Sequence, residues 1–251
     1  LFVATLLGTW MAASSAAVFN HLVEFDTDEL MQRTRNRPLP SKKLSQGAAL
    51  GFGAALGVGA SVILYVFASP AAAFISLGAN AFYVLFYTMF LKRKTHQNIV
   101  IGGAAGAVGP LIGWAAATGE LHYTAWLLFG LIFFWTPPHF WALALKYKDD
   151  YARAKIPMLP VVKGDAETRK QIFWYSVSLP LLVVAVFLSG YGGHMFLWTS
   201  LGASLYFTYI CFRLWREQDN RTSMQVFHFS CFYLFIVFGS LTVDALMNQL
   251  I

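Results

Sequence analysis

A chain of 251 residues that is 57% hydrophobic and 17% aromatic, with only 12% charged residues, lies outside the range of soluble globular domains. The formal charge of +6 gathers in no basic stripe interleaved with aromatics, so nucleic acid is not an expected partner. The two cysteines, Cys211 and Cys231, sit in apolar runs and support neither a disulfide framework nor a thiolate metal centre.

The composition predicts an all-α polytopic membrane protein whose solvent is the lipid bilayer. A transmembrane helix needs roughly 20 mostly apolar residues, and eight segments supply them: 1–21, 46–68, 70–91, 97–118, 123–145, 171–190, 194–212 and 226–247. All 18 Lys and Arg fall in the first, third, fifth and seventh connections, and none in those around Ser69, Gly119 and Gly192. Such one-sided charge sets orientation in the bilayer and places the basic loops in the cytoplasm of a bacterial inner membrane. Eight spans would put both ends outside. Leu1 begins within an apolar run, without Met or a basic start. The expectation is therefore a single transmembrane domain over 1–251 whose first helix lies upstream of Leu1.

At the end of the first span, Asn20, Glu24 and Asp28 follow at i, i+4 and i+8, which on a helix presents three oxygen donors to one side, with Asp26 pointing roughly the other way. Carboxylates at such a depth are expensive unless paired or metal-bound. Mg²⁺ suits them, being held by one or two carboxylates plus substrate phosphates. Arg33, Arg35 and Arg37 follow at once, and Arg recognises phosphate oxygens bidentately. Acids, metal and arginines together read as a diphosphate site; the alternative is a solvated helix end beside topology-setting charge.

The second and fourth spans are rich in small residues, Gly47 to Gly59 and Gly102 to Gly113, which predicts close helix packing. Lys92, Arg93 and Lys94 on the third connection reach the same membrane face as the acids. Pro137-Pro138 is expected to kink the fifth span and to turn Thr136 and His139 toward a cavity. On the fifth connection Asp149, Asp150 and Tyr151 precede Lys155-Ile156-Pro157-Met158-Leu159-Pro160, repeating the acid, base and proline theme and suggesting two halves that face one cavity.

The motif Asn20-x3-Glu24-x-Asp26-x-Asp28-x2-Met31-x-Arg33-Thr34-x2-Arg37-Pro38-Leu39 resembles the first acidic motif of the UbiA-type intramembrane prenyltransferases. Leu91-Lys92-Arg93-x-Thr95-x2-Asn98, Trp135-Thr136-Pro137-Pro138-His139-Phe140-Trp141 and Asp150-Tyr151-x4-Ile156-Pro157-Met158-Leu159-Pro160 are similar in turn to its protohaem IX farnesyltransferase (haem O synthase) branch. The chain departs from the family in having Glu24 where Asp is usual, and Ala154 four residues after Asp150. The resemblance covers essentially the whole chain and implies a bundle of nine helices, eight of them present here, around a central cavity open to the cytoplasm.

It also implies an Mg²⁺-dependent transfer of farnesyl from farnesyl diphosphate to protohaem IX (haem b), with a haem A synthase as a partner downstream. On that reading Asn20, Glu24, Asp28 and Asp150 hold the metal, and Arg33, Arg37, Lys92, Arg93 and Lys155 bind the diphosphate. His139 is the candidate haem contact, as iron ligand or propionate partner. Two other functions share features: a UbiA-type transfer to an aromatic quinone precursor, and a transporter with broken helices. Against transport, ten of the twelve acids lie on the basic loops, and only Glu120 and Asp244 lie elsewhere.

Overall fold

The protein is described by a computed structural model covering residues 1–32 and 34–250, with the side chains of residues 220 and 248–250 outside the description. Eight of its helices are long and apolar enough to cross a membrane. They bare large apolar side chains such as Phe2, Trp10, Leu181, Leu188 and Phe235, the surface expected of a protein solvated by lipid. The chain divides into two compact units, residues 1–125 with 149–158, and residues 126–148 with 159–251.

The first unit opens with α1 (Phe2–Val23) and the short α2 (Phe25–Leu30), followed by α3 (Gln46–Phe67) and α4 (Pro70–Ala81). Helices α1 and α3 pack along a small-residue seam. Ser15 donates to the carbonyl of Gly53 at 2.8 Å, and a Cβ added at Gly57 would lie 2.9 Å from Ser15 Oγ. Gly53, Gly57 and Gly59 thus bear out the close packing expected of that span, whereas Gly47 and Gly51 meet nothing. Ser69 caps α4 through the amide of Ala72.

The third span then changes character. Residues Phe82–Leu91 form a π-helix, so one continuous α-helix, as expected from hydropathy, is not what folds. The fourth span is also divided, into α5 (Asn98–Gly106) and α6 (Gly109–Thr118). Pro110 explains the break, since it lacks the amide that would continue α5 but is well placed in a first turn. Ser69 donates to Ala115 O at 2.7 Å and ties α4 to α6, around a core of Leu64, Ala72, Ala73, Ile112, Ala115 and Ala116.

The second unit contains most of α7 (Tyr123–Lys146), after which the short α8 (Lys148–Arg153) belongs to the first unit from Asp149 on, then the one-turn α9 (Leu159–Val162), α10 (Gly164–Leu188), α11 (His194–Glu217) and α12 (Asn220–Leu250). Helix α7 runs without interruption through Pro137 and Pro138. Thr136, expected to face a cavity, donates to its own helix at Ile132 O. Helix α10 begins seven residues before the predicted span, because the polar run Gly164–Lys170 is itself helical, with Asp165 and Glu167 in the first turn where acids are favoured. Serines knit the unit together: Ser204 meets Tyr233 at 3.0 Å, Ser200 meets Ser240 at 3.1 Å, and Ser223 donates to Ala142 O at 2.5 Å.

Asp244, one of the two acids away from the basic loops, has a structural task. Its Oδ2 accepts from the Phe196 amide at 2.7 Å and supplies the N-terminal cap of α11 that Gly193 lacks. A Cβ at Gly193 would lie 2.6 Å from the Asp244 carboxyl carbon, so only glycine admits the carboxylate. Asp244→Ala is expected to destabilise the protein by about 1–2 kcal/mol, read as a lower midpoint of thermal unfolding in detergent, with substrate affinities unchanged.

Candidate active site

Of the acids of the two motifs, Glu24, Asp28 and Asp150 are buried within the first unit, whereas Asp26 and Asp149 are exposed. Asn20, Glu24 and Asp28 are 7%, 5% and 3% exposed, and Asp150 is 7% exposed. The chain turns at Glu24, yet the α-type ladder carries on across the turn, with Glu24 N bonded to Asn20 O at 2.9 Å and Asp28 N to Glu24 O at 2.8 Å. The i, i+4, i+8 stripe therefore survives the break between α1 and α2.

Each carboxylate has its own cation. Asp28 receives Arg37 on both oxygens, at 3.0 and 2.8 Å. Glu24 Oε1 meets Lys92 Nζ at 2.5 Å, across 68 residues of sequence. Asp150 pairs with Arg153, a residue the motif reading did not single out. The loop after α2 brings Arg37 back by successive turns, Arg37 N to Thr34 O and Ser41 N to Arg37 O, while Thr34 donates to Asp28 O and buried Met31 and Leu39 pin the turns in place. Lys92 is delivered by the π-helix, whose last bond runs from Lys92 N to Tyr87 O.

The remaining site candidates divide. Arg93 is exposed and donates to Val23 O at 3.4 Å, satisfying the carbonyl end of α1. Lys155 is exposed, with a left-handed backbone (φ +55°). Arg33 lies outside the described residues. Residues 149–158, expected to belong to a second half facing the first, group instead with the first unit, and Tyr151 is within electrostatic reach of Tyr87, as is Glu24. Thr88, which accepts from Asn20 Nδ2 at 3.3 Å, was missed; a lone threonine in an apolar span gave no usable signal.

The donor chemistry suits a hard cation. The Asn20 amide nitrogen is committed to Thr88, leaving its carbonyl oxygen as acceptor, and the other donors are carboxylates without His or Cys. Among the described residues no three acidic, His or Cys side chains converge as a protein-only metal cage.

Directly along α1 from Asn20 lies a cavity of about 210 Å³, lined by Thr9, Ala12, Ala16, Ser76, Asn80 and Tyr83 among others. Ala16 and Ala12 stand one and two turns from Asn20, about 6 and 12 Å along the axis. Small side chains leave this space open, and Asn80 Nδ2 holds its edge by donating to Ala12 O at 3.1 Å. Tyr83, which lines the cavity, lies tilted against Tyr87 with ring centroids 5.3 Å apart, and Lys92 Nζ is 6.0 Å from the Tyr87 ring centroid.

In the second unit His139 stacks on Trp135 and Phe227 at 4.4 and 4.8 Å. Its Nδ1 is 2.6 Å from Ser230 Oγ, and Ser230 gives its only proton to Phe227 O at 2.5 Å. Ser230 must therefore accept from Nδ1–H, which leaves Nε2 with a free lone pair on the neutral ring.

The family model described as the UbiA prenyltransferase family matches residues 1–238. The chain belongs to the UbiA prenyltransferase family. Among UbiA-family relatives, the protoheme IX farnesyltransferase of Gloeobacter violaceus is 45% identical over 98% of this chain and 81% of its own length. That of Nitrosococcus oceani is 44% identical over 97% and 82%. The fold agrees. A solved structure of a digeranylgeranylglyceryl phosphate synthase superposes with a TM-score of 0.78 at 19% identity, covering 96% of this chain and 84% of that one. A UbiA homologue from Archaeoglobus fulgidus, bound to DMAPP and Mg²⁺, gives 0.71 at 18%, covering 96% and 87%.

Proposed function

We propose that this integral, multi-pass membrane enzyme transfers the farnesyl group of farnesyl diphosphate to a vinyl group of protohaem IX, giving haem O. The observation that carries the reading is the pairing of three buried carboxylates with three cations in the unit that also holds a small-residue cavity, in a chain about 45% identical to protoheme IX farnesyltransferases over nearly its whole length. The two units act as one prenyltransferase domain. Its basic loops face the cytoplasm of a bacterial inner membrane, and a haem A synthase would consume the product.

Asn20, Glu24, Asp28 and Asp150 would hold Mg²⁺, which when bound supplies positive charge to the diphosphate oxygens. Arg37, Lys92 and Arg153, released from their carboxylates toward the diphosphate, neutralise it as the C1–O bond breaks and the leaving group departs with the electron pair. Arg33, Arg93 and Lys155 extend the same positive field around that end. Tyr83 and Tyr87 offer π faces to the allylic cation. The vinyl π electrons of the porphyrin then form the new C–C bond. Water adds its hydroxyl to the resulting cation and loses a proton, leaving the hydroxyethylfarnesyl side chain. His139 would present Nε2 to the haem iron.

The test is mass spectrometry of haem extracted after incubating the reconstituted protein with protohaem IX and farnesyl diphosphate. Haem O and one diphosphate per turnover should appear with Mg²⁺ and vanish with EDTA. Diphosphate release without haem O, restored by an aromatic quinone precursor, would give the site to another acceptor.

A further inference from the structure

Arg169 was counted with the basic loops in the sequence, but it stands on the inward face of α10 with Thr168, Ile172 and Ser176, and is only 7% exposed. Its Nε is sealed and has no hydrogen-bond partner, and among the described residues no carboxylate pairs with it. Every acid of the second unit is committed elsewhere. Asp165 binds Lys148 at 2.7 Å, Glu167 binds Gln171 at 3.0 Å, Glu217 binds Arg213, Asp219 accepts from the Arg221 amide, and Asp244 caps α11. A buried guanidinium without a counter-charge is among the costliest arrangements a protein can hold, and its usual remedy is a bound anion.

A second orphan lies in the same unit. Trp141 is fully buried and its Nε1 has no acceptor. Helix α10 meets α7 at the Trp141–Tyr175 ring contact, 5.4 Å between centroids, and meets Lys148, just past the end of α7, through Asp165. Arg169 falls between these contacts, one turn beyond Asp165 and about 9 Å along α10 from Tyr175. The second unit thus holds two sealed donors, Arg169 Nε and Trp141 Nε1, that lack acceptors.

We infer that Arg169 is a substrate-binding residue that grips an anionic oxygen group, and that this group is a carboxylate of the porphyrin acceptor. The inference rests on the acceptor proposed above. Phosphate oxygens share the required chemistry, but the first unit already provides Arg37, Lys92 and Arg153 for the diphosphate, whereas Arg169 belongs to the unit that carries His139 and its aromatic stack. A planar guanidinium matches a carboxylate with two parallel hydrogen bonds.

The experiment titrates reconstituted wild-type protein, Arg169→Gln and Arg169→Lys with protohaem IX and with its dimethyl ester, whose carboxylates are masked, by absorbance. The KM for farnesyl diphosphate is measured alongside. The wild type should bind the diacid about 10- to 100-fold more tightly than the diester, the range expected for a charged hydrogen bond. Arg169→Gln should lose that preference without a change in the farnesyl diphosphate KM, and Arg169→Lys should keep part of it. Equal binding of diacid and diester by the wild type overturns the proposal without needing any variant to fold. So does an Arg169→Gln protein that keeps its preference, or one whose defect lies in farnesyl diphosphate affinity. Failure of the acceptor reading looks different: the wild type would then make no haem O at all.

Discussion

Replacing Asp28 by Asn is expected to lower farnesyl transfer about 100-fold or more, the size of effect seen when one group aimed at developing charge is removed. Asp28 is nearly sealed, and both its oxygens are held by Arg37. The amide keeps the shape but loses the charge that orients the arginine and would hold the metal. Arg37 is about a third exposed, so its charge can be rehydrated and the cost in stability stays modest. Glu24→Gln is the harsher companion, because Lys92 is only 18% exposed. Breaking a buried pair from one side costs about 3–5 kcal/mol, and Glu24→Gln should lose thermal stability as well as turnover. Steady-state rates with farnesyl diphosphate, set beside unfolding midpoints, separate the two effects. An Asp28→Asn enzyme with wild-type turnover would remove the first acidic stripe from the chemistry.

Filling the cavity should change which donor is used rather than whether chemistry occurs. Ala16→Phe places a ring in a space of about 210 Å³, one turn from Asn20 and away from every charged side chain. On the proposed reading the farnesyl tail occupies that space while the first isoprene unit stays beside the acids. The variant is expected to lose farnesyl transfer and to keep transfer from geranyl or dimethylallyl diphosphate. The ratio of kcat/KM values should shift by about 10- to 200-fold toward the shorter donor, the range that steric pockets deliver. Equal losses for all three donors would mean that the cavity does not house the tail.

Much of this architecture is legible in the chain because hydropathy and charge act locally. Eight apolar segments locate all eight spans, the first five to within about two residues, and the four-residue spacing of Asn20, Glu24 and Asp28 survives even the turn at Glu24. What hydropathy does not encode is backbone register and distant partnership. The π segment is as apolar as an α-helix, so Phe82–Leu91 read as ordinary span. The pairing of Glu24 with Lys92 depends on that register. Arg169 read as a loop charge because a polar helical turn outside an apolar window resembles a connection, and only folding shows it buried without a counter-ion. Pro137 and Pro138, which read as an interruption of the fifth span, are both accommodated inside a helix that does not stop.

The π-helix has a further implication for how such a reaction centre can be tuned. Each i→i+5 turn holds about one residue more than an α turn, so the angular heading of everything after Tyr83 is decoupled from the length of the span. Thr88 already shows this, with its hydroxyl donating to Tyr83 O five residues back. A membrane crossing is constrained in length by bilayer thickness, which leaves insertion or deletion at its ends a blunt tool. Winding looser or tighter within ten residues instead rotates Lys92 like the dial of a lock while both ends of the span stay at their depths.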